Sequence, residues 1–347
     1  MITEQHGSTE QEAAATASFY QGKRVLVLGG AGFIGSCLVR TLVNYGARVV
    51  VVDGLLPDTG GDLVNLAIVH KGLDGCFTEP VENLDGQGGR PLLAELVADA
   101  DLVIDAMAST SHHVGMTRPQ FDLQCNLMSH LCLIEALEGN AVKKVIYLGS
   151  RGQYGRVNVE RITEKTPRLP IDVQGVGKDA AENLFRIYAP LKNFQVLSLR
   201  ITNCFGEHQK VSGADIGLVG SFVRDYLDDR TVEIYGSAKR KKNLIYVRDL
   251  VNIILRLGSR SFDTFEAYNI AGQAVSLERL LTCIGNCLDT GNYVVRPFPD
   301  HIQRLDVGQA AFVDDKLQRR LNNVEVTALD LAIEETVNYF KGKTHAE

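Results

Sequence analysis

The stretch from Arg24 to Asp53, RVLVLGGAGFIGSCLVRTLVNYGARVVVVD, restricts the possible folds of this chain more than any other. Val25, Leu26, Val27 and Leu28 make an apolar run of buried-strand length, Gly29, Gly32 and Gly35 follow, and Leu38, Val39 and Leu42 recur at helical spacing. A second apolar run then ends on Asp53. Strand, glycine turn, helix and strand make one βαβ unit, and a crossover of that kind joins parallel strands. Gly29 makes the tight turn, Gly32 lets a pyrophosphate approach the backbone, and Gly35 lets the helix pack closely on the strand. Together with Ala31, Phe33 and Ile34 they form a loop whose helix N-terminus offers free N–H groups to phosphates. Asp53 is placed to accept hydrogen bonds from an adenosine ribose and would repel a 2′-phosphate, so NAD is expected over NADP.

That unit uses a small part of 347 residues, of which 45% are apolar, enough for one large core or two lobes. A net charge of −6 argues against a dedicated nucleic-acid surface or an anionic-membrane surface and directs attention to a small ligand. Seven cysteines without a Cys-x-x-Cys spacing read as apolar fillers of a reducing compartment. Residues 1–22 are polar and rich in Ala, Thr and Gln, without apolar periodicity or the basic start of a secretory signal, and are expected as a mobile tail. No segment is apolar enough over sufficient length to span a bilayer, and a cytoplasmic protein is expected.

Further strands are expected at 101–106, 142–148 and 194–200, and each apolar run ends among residues suited to a ligand crevice. The first ends at Ala106, Met107 and Ala108, small enough at two positions for close approach to a cofactor. Thr110 to His113 follow on an expected loop, where His112 and His113 read equally as acid/base groups or as polar surface. Adjacent histidines chelate one ion poorly and no third ligand stands at a helical spacing, so no metal site is expected. The second strand leads into Ser150, Arg151, Gly152, Gln153 and Tyr154, with Ser150 read as a ligand-facing hydroxyl or as turn chemistry. Long helices are expected at 119–137 and 174–188, and shorter ones at 217–227, 276–287 and 327–340. Residues 72–89 read as a solvated loop around one short strand, including Glu82 and Asn83. The basic run Lys239 to Lys242 precedes a strand and reads as a solvated face from which one member can meet an anion.

In this order the motifs resemble the NAD-dependent epimerase/dehydratase family, the nucleotide-sugar branch of the extended short-chain dehydrogenases/reductases. The resemblance runs from about Arg24 to Lys341 and rests on GGAGFIG at 29–35, Pro119 to Asn126 with Glu135-Ala136, Lys178 to Glu182, LRITNCFG at 199–206, Ile245-Tyr-Val-x-Asp249 and Arg304-x-Asp306-Val307. It implies an α/β fold, a doubly wound parallel (Rossmann) sheet with a smaller C-terminal α/β substrate domain. The implied division is a tail at 1–22, an NAD-binding domain at 23–202 and a mainly substrate-binding domain at 203–347, with about 244–271 returning to the first. It also implies NAD as cofactor, a nucleotide sugar as partner and a homodimer joined through the helices at 119–137 and 174–188. Lys178 would hold the nicotinamide ribose, Ser150 the reacting oxygen, and Asn203, Lys242 and Arg304 the nucleotide diphosphate.

One departure bears on mechanism. The family's catalytic helix carries Tyr-x-x-x-Lys, and here the window reads Gln174-Gly-Val-Gly-Lys178. A carboxamide has no accessible pKa and cannot take the proton of a substrate hydroxyl. The acids that follow the family's Ser/Thr position in dehydratases and decarboxylases are Arg151 and Gly152 here. Three readings are open to the sequence. One is an epimerase-type enzyme in which His112, His113, Tyr154, or Arg151 through a water replaces the tyrosine. Another is a dehydratase or lyase of unusual mechanism, and the third is a non-catalytic sensor of NAD or a nucleotide sugar.

Overall fold

Alternate residues of one strand feed two separate cores. Val25 and Val27 pack with Leu38, Val39, Leu42, Ile253 and Ile254, whereas Leu26 and Leu28 pack with Val97, Leu133, Ile134, Ala181 and Phe185. A strand whose side chains are buried on both faces belongs in a sheet covered by helices on both sides. The computed structural model describes residues 2–87, 92–137, 144–210, 217–300, 303 and 306–344, and Arg304 lies outside them.

The large sheet contains β1 (Arg24–Leu28), β2 (Arg48–Val52), β3 (Leu73–Phe77), β4 (Leu102–Asp105), β5 (Lys144–Ser150), β7 (Gln195–Ile201) and β11 (Phe265–Ile270), β6 (Arg161–Ile162) lying outside it. Its order is β11-β7-β5-β4-β1-β2-β3 and every pairing is parallel. The order reverses between β1 and β4, which opens a crevice beyond their carboxyl ends. Helix α2 (Phe33–Asn44) and helix α9 (Val247–Gly258) cover one face. The other face is covered by α3 (Leu93–Asp99), α6 (Ser129–Ala136) and α7 (Val173–Lys192).

A second, smaller body of structure borders the crevice. β8 (Asn203–Phe205), β10 (Lys241–Tyr246) and β12 (Gln273–Ser276) form a three-stranded sheet, and β9 (Val232–Tyr235) pairs with Tyr293–Arg296. Helices α8 (Gly217–Leu227) and α10 (Leu277–Leu288) and the terminal helix Leu329–Thr344 pack around Phe222, Leu281, Ile333 and Phe340. The strand Ala311–Phe312 returns to pair with β6 and so crosses back over the loop that follows β5.

Three expectations need correction here. The segment expected as a tail is helix α1 (Ile2–Tyr20). Tyr20 is fully buried and donates to the Leu255 carbonyl at 3.0 Å, and Glu12 pairs with Arg256 and Arg260. Its alanines favour helix and one buried aromatic near its end anchors it, a pattern too sparse to register as periodicity. The stretch after Ser111 is not a loop: α4 (His112–Thr117) begins there, with Ser111 Oγ accepting from Val114 N at 3.1 Å. The long helix from Pro119 is broken into α5 (Pro119–Leu123), a π turn at Gln124–Met128, and α6. Such turns often lie beside functional sites. Among the described residues, no helix is long and apolar enough to cross a membrane.

Candidate active site

The crevice holds a cavity of about 940 Å³ that begins at the turn after β1. Gly29 has φ +74°, and a Cβ there would come within 2.8 Å of the Ala106 carbonyl at the end of β4. A Cβ on Gly35 would stand 2.0 Å from the Gly29 carbonyl oxygen. Only glycine permits either approach. Gly32 caps α2 without a side-chain hydrogen bond, so the amides of the helix N-terminus are bare where Gly32, Phe33, Ile34 and Gly35 line the cleft.

Asp53 lies at the carboxyl end of β2, lines the cleft and is 9% exposed. Its Oδ2 accepts from Ala31 N at 2.9 Å and its Oδ1 from Leu55 N at 3.0 Å. Burial raises its pKa, opposed by those amides and that of Gly32. Ala31 does not line the cleft as expected. It is fully buried and serves the loop by binding Asp53 through its amide and Asn65 Nδ2 through its carbonyl. Glu82, expected in a solvated loop, lines the cleft on a 3₁₀ turn and accepts from Gln124 Nε2 at 3.1 Å.

The strand ends of β4 and β5 form the cleft's middle. Ala106, Met107 and Ala108 line it, as do Gly149, Ser150, Arg151, Gln174 and Lys178. Lys178 Nζ donates to the carbonyls of Met107 at 2.8 Å and Leu148 at 3.2 Å. Burial lowers its pKa to about 8 against the pull of Asp105, Asp122 and Cys125. Beneath it, Asp105 Oδ2 and His130 Nδ1 are 2.7 Å apart with both side chains fully buried. Burial lowers the His130 pKa although Asp105 raises it. Ser150 Oγ accepts from Gly152 N at 3.0 Å, and Ser150 N donates to Gln153 Oε1 at 2.8 Å, which fixes the hydroxyl at the start of the turn.

Gln174 Nε2 donates to the Ser109 carbonyl at 3.2 Å. Three residues beyond Ser109, His112 also lines the cleft, and its Nδ1 lies 2.7 Å from Asp172 Oδ2. Asp172 caps α7, the helix that carries Gln174 and Lys178, by accepting from Gly175 N at 2.7 Å. His113 is exposed and outside the cleft. Tyr154 cannot serve as an acid or base there: it is fully buried, bonded to Asn269 Oδ1 at 2.7 Å and to Arg200 Nη1 at 2.5 Å, and burial raises its pKa. The far rim carries Asn203, Lys241 and Lys242, with Asp306 held by Arg240. Burial lowers the Lys242 pKa, and Arg240 lowers it further.

Sequence reasoning missed Asp172, whose Asp-x-x-Gly spacing before a helix is an N-cap signal, and it placed Met107 at the crevice without its carbonyl's part in anchoring Lys178. Among the described residues, no group of three or more His, Cys, Asp or Glu is placed to hold a metal ion.

A reversed strand order, a glycine-lined helix N-terminus and an acid at the end of β2 define a dinucleotide-binding α/β protein, in which Gly29 and Gly35 let the turn pack tightly on β4 and on itself. Comparison with known proteins makes this specific: residues 25–271 match the NAD dependent epimerase/dehydratase family, and the chain belongs to it. It is 28% identical over 329 residues to a UDP-glucose 4-epimerase of Mycolicibacterium smegmatis, covering 92% of this chain and 99% of that one. A Thermotoga maritima UDP-glucose 4-epimerase solved with UDP-glucose superposes with a TM-score of 0.80 at 25% identity, over 92% of this chain and 99% of that one. A Thermus thermophilus UDP-glucose 4-epimerase solved with NAD gives 0.77 at 26% identity over the same shares.

Proposed function

We propose that this protein epimerises a nucleotide sugar using NAD, with His112 in the role that a tyrosine fills elsewhere in the family. The His112–Asp172 pair on the cleft wall carries this reading. The ring pairs with Asp172 through Nδ1, Nε2 would meet the substrate hydroxyl, and the carboxylate stabilises the imidazolium that forms when the proton arrives. Asp172 is suited to that task, since His112 and the Gly175 amide hold its carboxyl below the usual range despite burial. Gln174 cannot take the proton, and its Nε2 is tied to the Ser109 carbonyl. Ser150 Oγ holds the reacting oxygen from the β5 side. NAD, when bound, supplies the hydride acceptor and donor. Gly29, Gly32, Phe33, Ile34, Gly35 and Asp53 would hold its adenosine and pyrophosphate end, and Ala106, Ala108 and Lys178 its nicotinamide end. Lys242 and Asn203 would meet the diphosphate of the sugar nucleotide.

Arg151 and Gly152 after Ser150 favour epimerisation over elimination, because neither can act as the acid that loss of water requires. Val176, Ile187 and Leu191 on α7 and Met128 beside α6 are exposed apolar side chains, which supports dimerisation through those helices.

The test is incubation with NAD and a panel of UDP-, dTDP-, GDP- and CDP-sugars in deuterated water, with products separated and weighed. Altered retention without loss of water or carbon dioxide is the expected result. A lost water or carboxyl group would make the protein a lyase, and no change in protein shown to bind both ligands would remove the catalytic reading.

A further inference from the structure

The residue after Ser150 has no part in that mechanism, yet it lines the cleft. Arg151 opens the 3₁₀ turn at the end of β5, and its guanidinium lies 5.9 Å from the centre of the Phe312 ring. Among the described residues it makes no hydrogen bond or ion pair. Burial lowers its pKa, and among the described residues the charge that opposes this is Asp306. That carboxylate is already paired with Arg240 and stands 4.0 Å from Lys242 Nζ. Three cations therefore share one anion, and Arg151 is the one without a direct partner.

A half-buried charge left uncompensated is costly, and the hydroxyls of a neutral hexose do not compensate it. A planar guanidinium matches a carboxylate through two parallel N–H···O bonds. Arg151 directly follows Ser150, which the proposed function sets against the reacting oxygen, and both residues line the cleft. We propose that Arg151 binds a carboxylate borne by the sugar, so that the preferred substrate is a nucleotide-linked uronic acid. This assignment rests on the reading that the cleft takes a nucleotide sugar.

Calorimetry on NAD-loaded protein tests it with four probes: UDP-glucose, UDP-glucuronate and the two dTDP counterparts. In whichever base series binds, the uronate is expected to bind at least about 30-fold more tightly than the neutral sugar. Arg151→Gln should erase that preference while leaving NAD affinity unchanged, and Arg151→Lys should retain part of it. Equal affinity for the two sugars in the unmodified protein, or equal weakening of both in Arg151→Gln, would overturn the assignment and leave the nucleotide-sugar reading standing. Failure of all four probes to bind would overturn the assignment, and the nucleotide-sugar reading falls with it if the GDP- and CDP-sugars of the panel also fail to bind. Tight uronate binding without turnover would support the assignment and remove only the catalytic reading.

Discussion

One carboxylate joins two elements of the site: Asp172 Oδ2 lies 2.7 Å from His112 Nδ1 while Asp172 Oδ1 accepts from Gly175 N at 2.7 Å. The imidazole is thereby fixed relative to the first turn of α7, four residues ahead of Lys178 at the Gln174 end. The proposed base and the lysine proposed for the nicotinamide ribose are held to one scaffold although they come from different segments.

Removing the imidazole should therefore abolish proton transfer without touching the cofactor loop. His112→Gln is expected to lower kcat by about 10² to 10⁴ with NAD affinity unchanged. Asp172→Asn keeps an N-cap and should lower kcat by a smaller factor. Steady-state kinetics beside NAD titration check both, and an unaltered kcat in His112→Gln would remove the histidine from the mechanism.

A tyrosine returned to the cleft should bypass the histidine. In the double variant His112→Gln, Gln174→Tyr, kcat is expected to recover by at least about tenfold over His112→Gln alone, since a positioned phenol can again take the proton. No recovery in a double variant that binds NAD normally would mean that position 174 does not face the reacting oxygen.

The fold was legible because its signals are local and periodic. Val25 to Leu28, the three glycines and Leu38, Val39 and Leu42 carry strand, turn and helix in their spacing, and Asp53 marks the end of the second strand. The cleft wall was legible where one segment alone places a residue on it, as with Lys178 and Ser150. The relation between His112 and Asp172 spans 60 residues and exists only after α4 and α7 meet, so the histidine stood level with His113 in the sequence. Tyr154 attracted attention for its phenol, but the side chain turns inward to Arg200 and Asn269, a choice set by β7 and β11. Helix α1 was missed because docking through Tyr20 and Glu12 leaves no periodic apolar face to read.

Lys178 should impose a pH-dependent cost on the protein without cofactor. Its pKa falls from 10.5 to about 8 on folding, so the folded state loses the proton first and the penalty lifts as pH rises from about 8 towards 10.5. Relative to Lys178→Met, which has no such group, the unmodified protein should gain roughly 3 kcal/mol between pH 7 and pH 11. Denaturant unfolding of both proteins across that range measures the difference, and a pH-independent difference would contradict the shift.

His130 makes a demand of the same sign at acid pH. Burial holds its pKa below 6.5, so the unfolded chain takes up a proton that the folded chain refuses, and stability should fall as pH drops below about 6.5. His130→Gln is expected to lower stability at pH 7, by breaking the contact with Asp105, and to flatten its fall between pH 7 and 5. An identical slope in both proteins by thermal unfolding would show that another group governs the acid limb.

Rapid mixing of NAD-loaded protein with a nucleotide sugar that it binds, followed by the absorbance of reduced nicotinamide, tests the central claim most directly. The expected result is a transient rise in the unmodified protein, slowed by at least about 10² in His112→Gln and partly restored by adding Gln174→Tyr. A flat trace in the unmodified protein, or an equal rate in His112→Gln, would contradict the account.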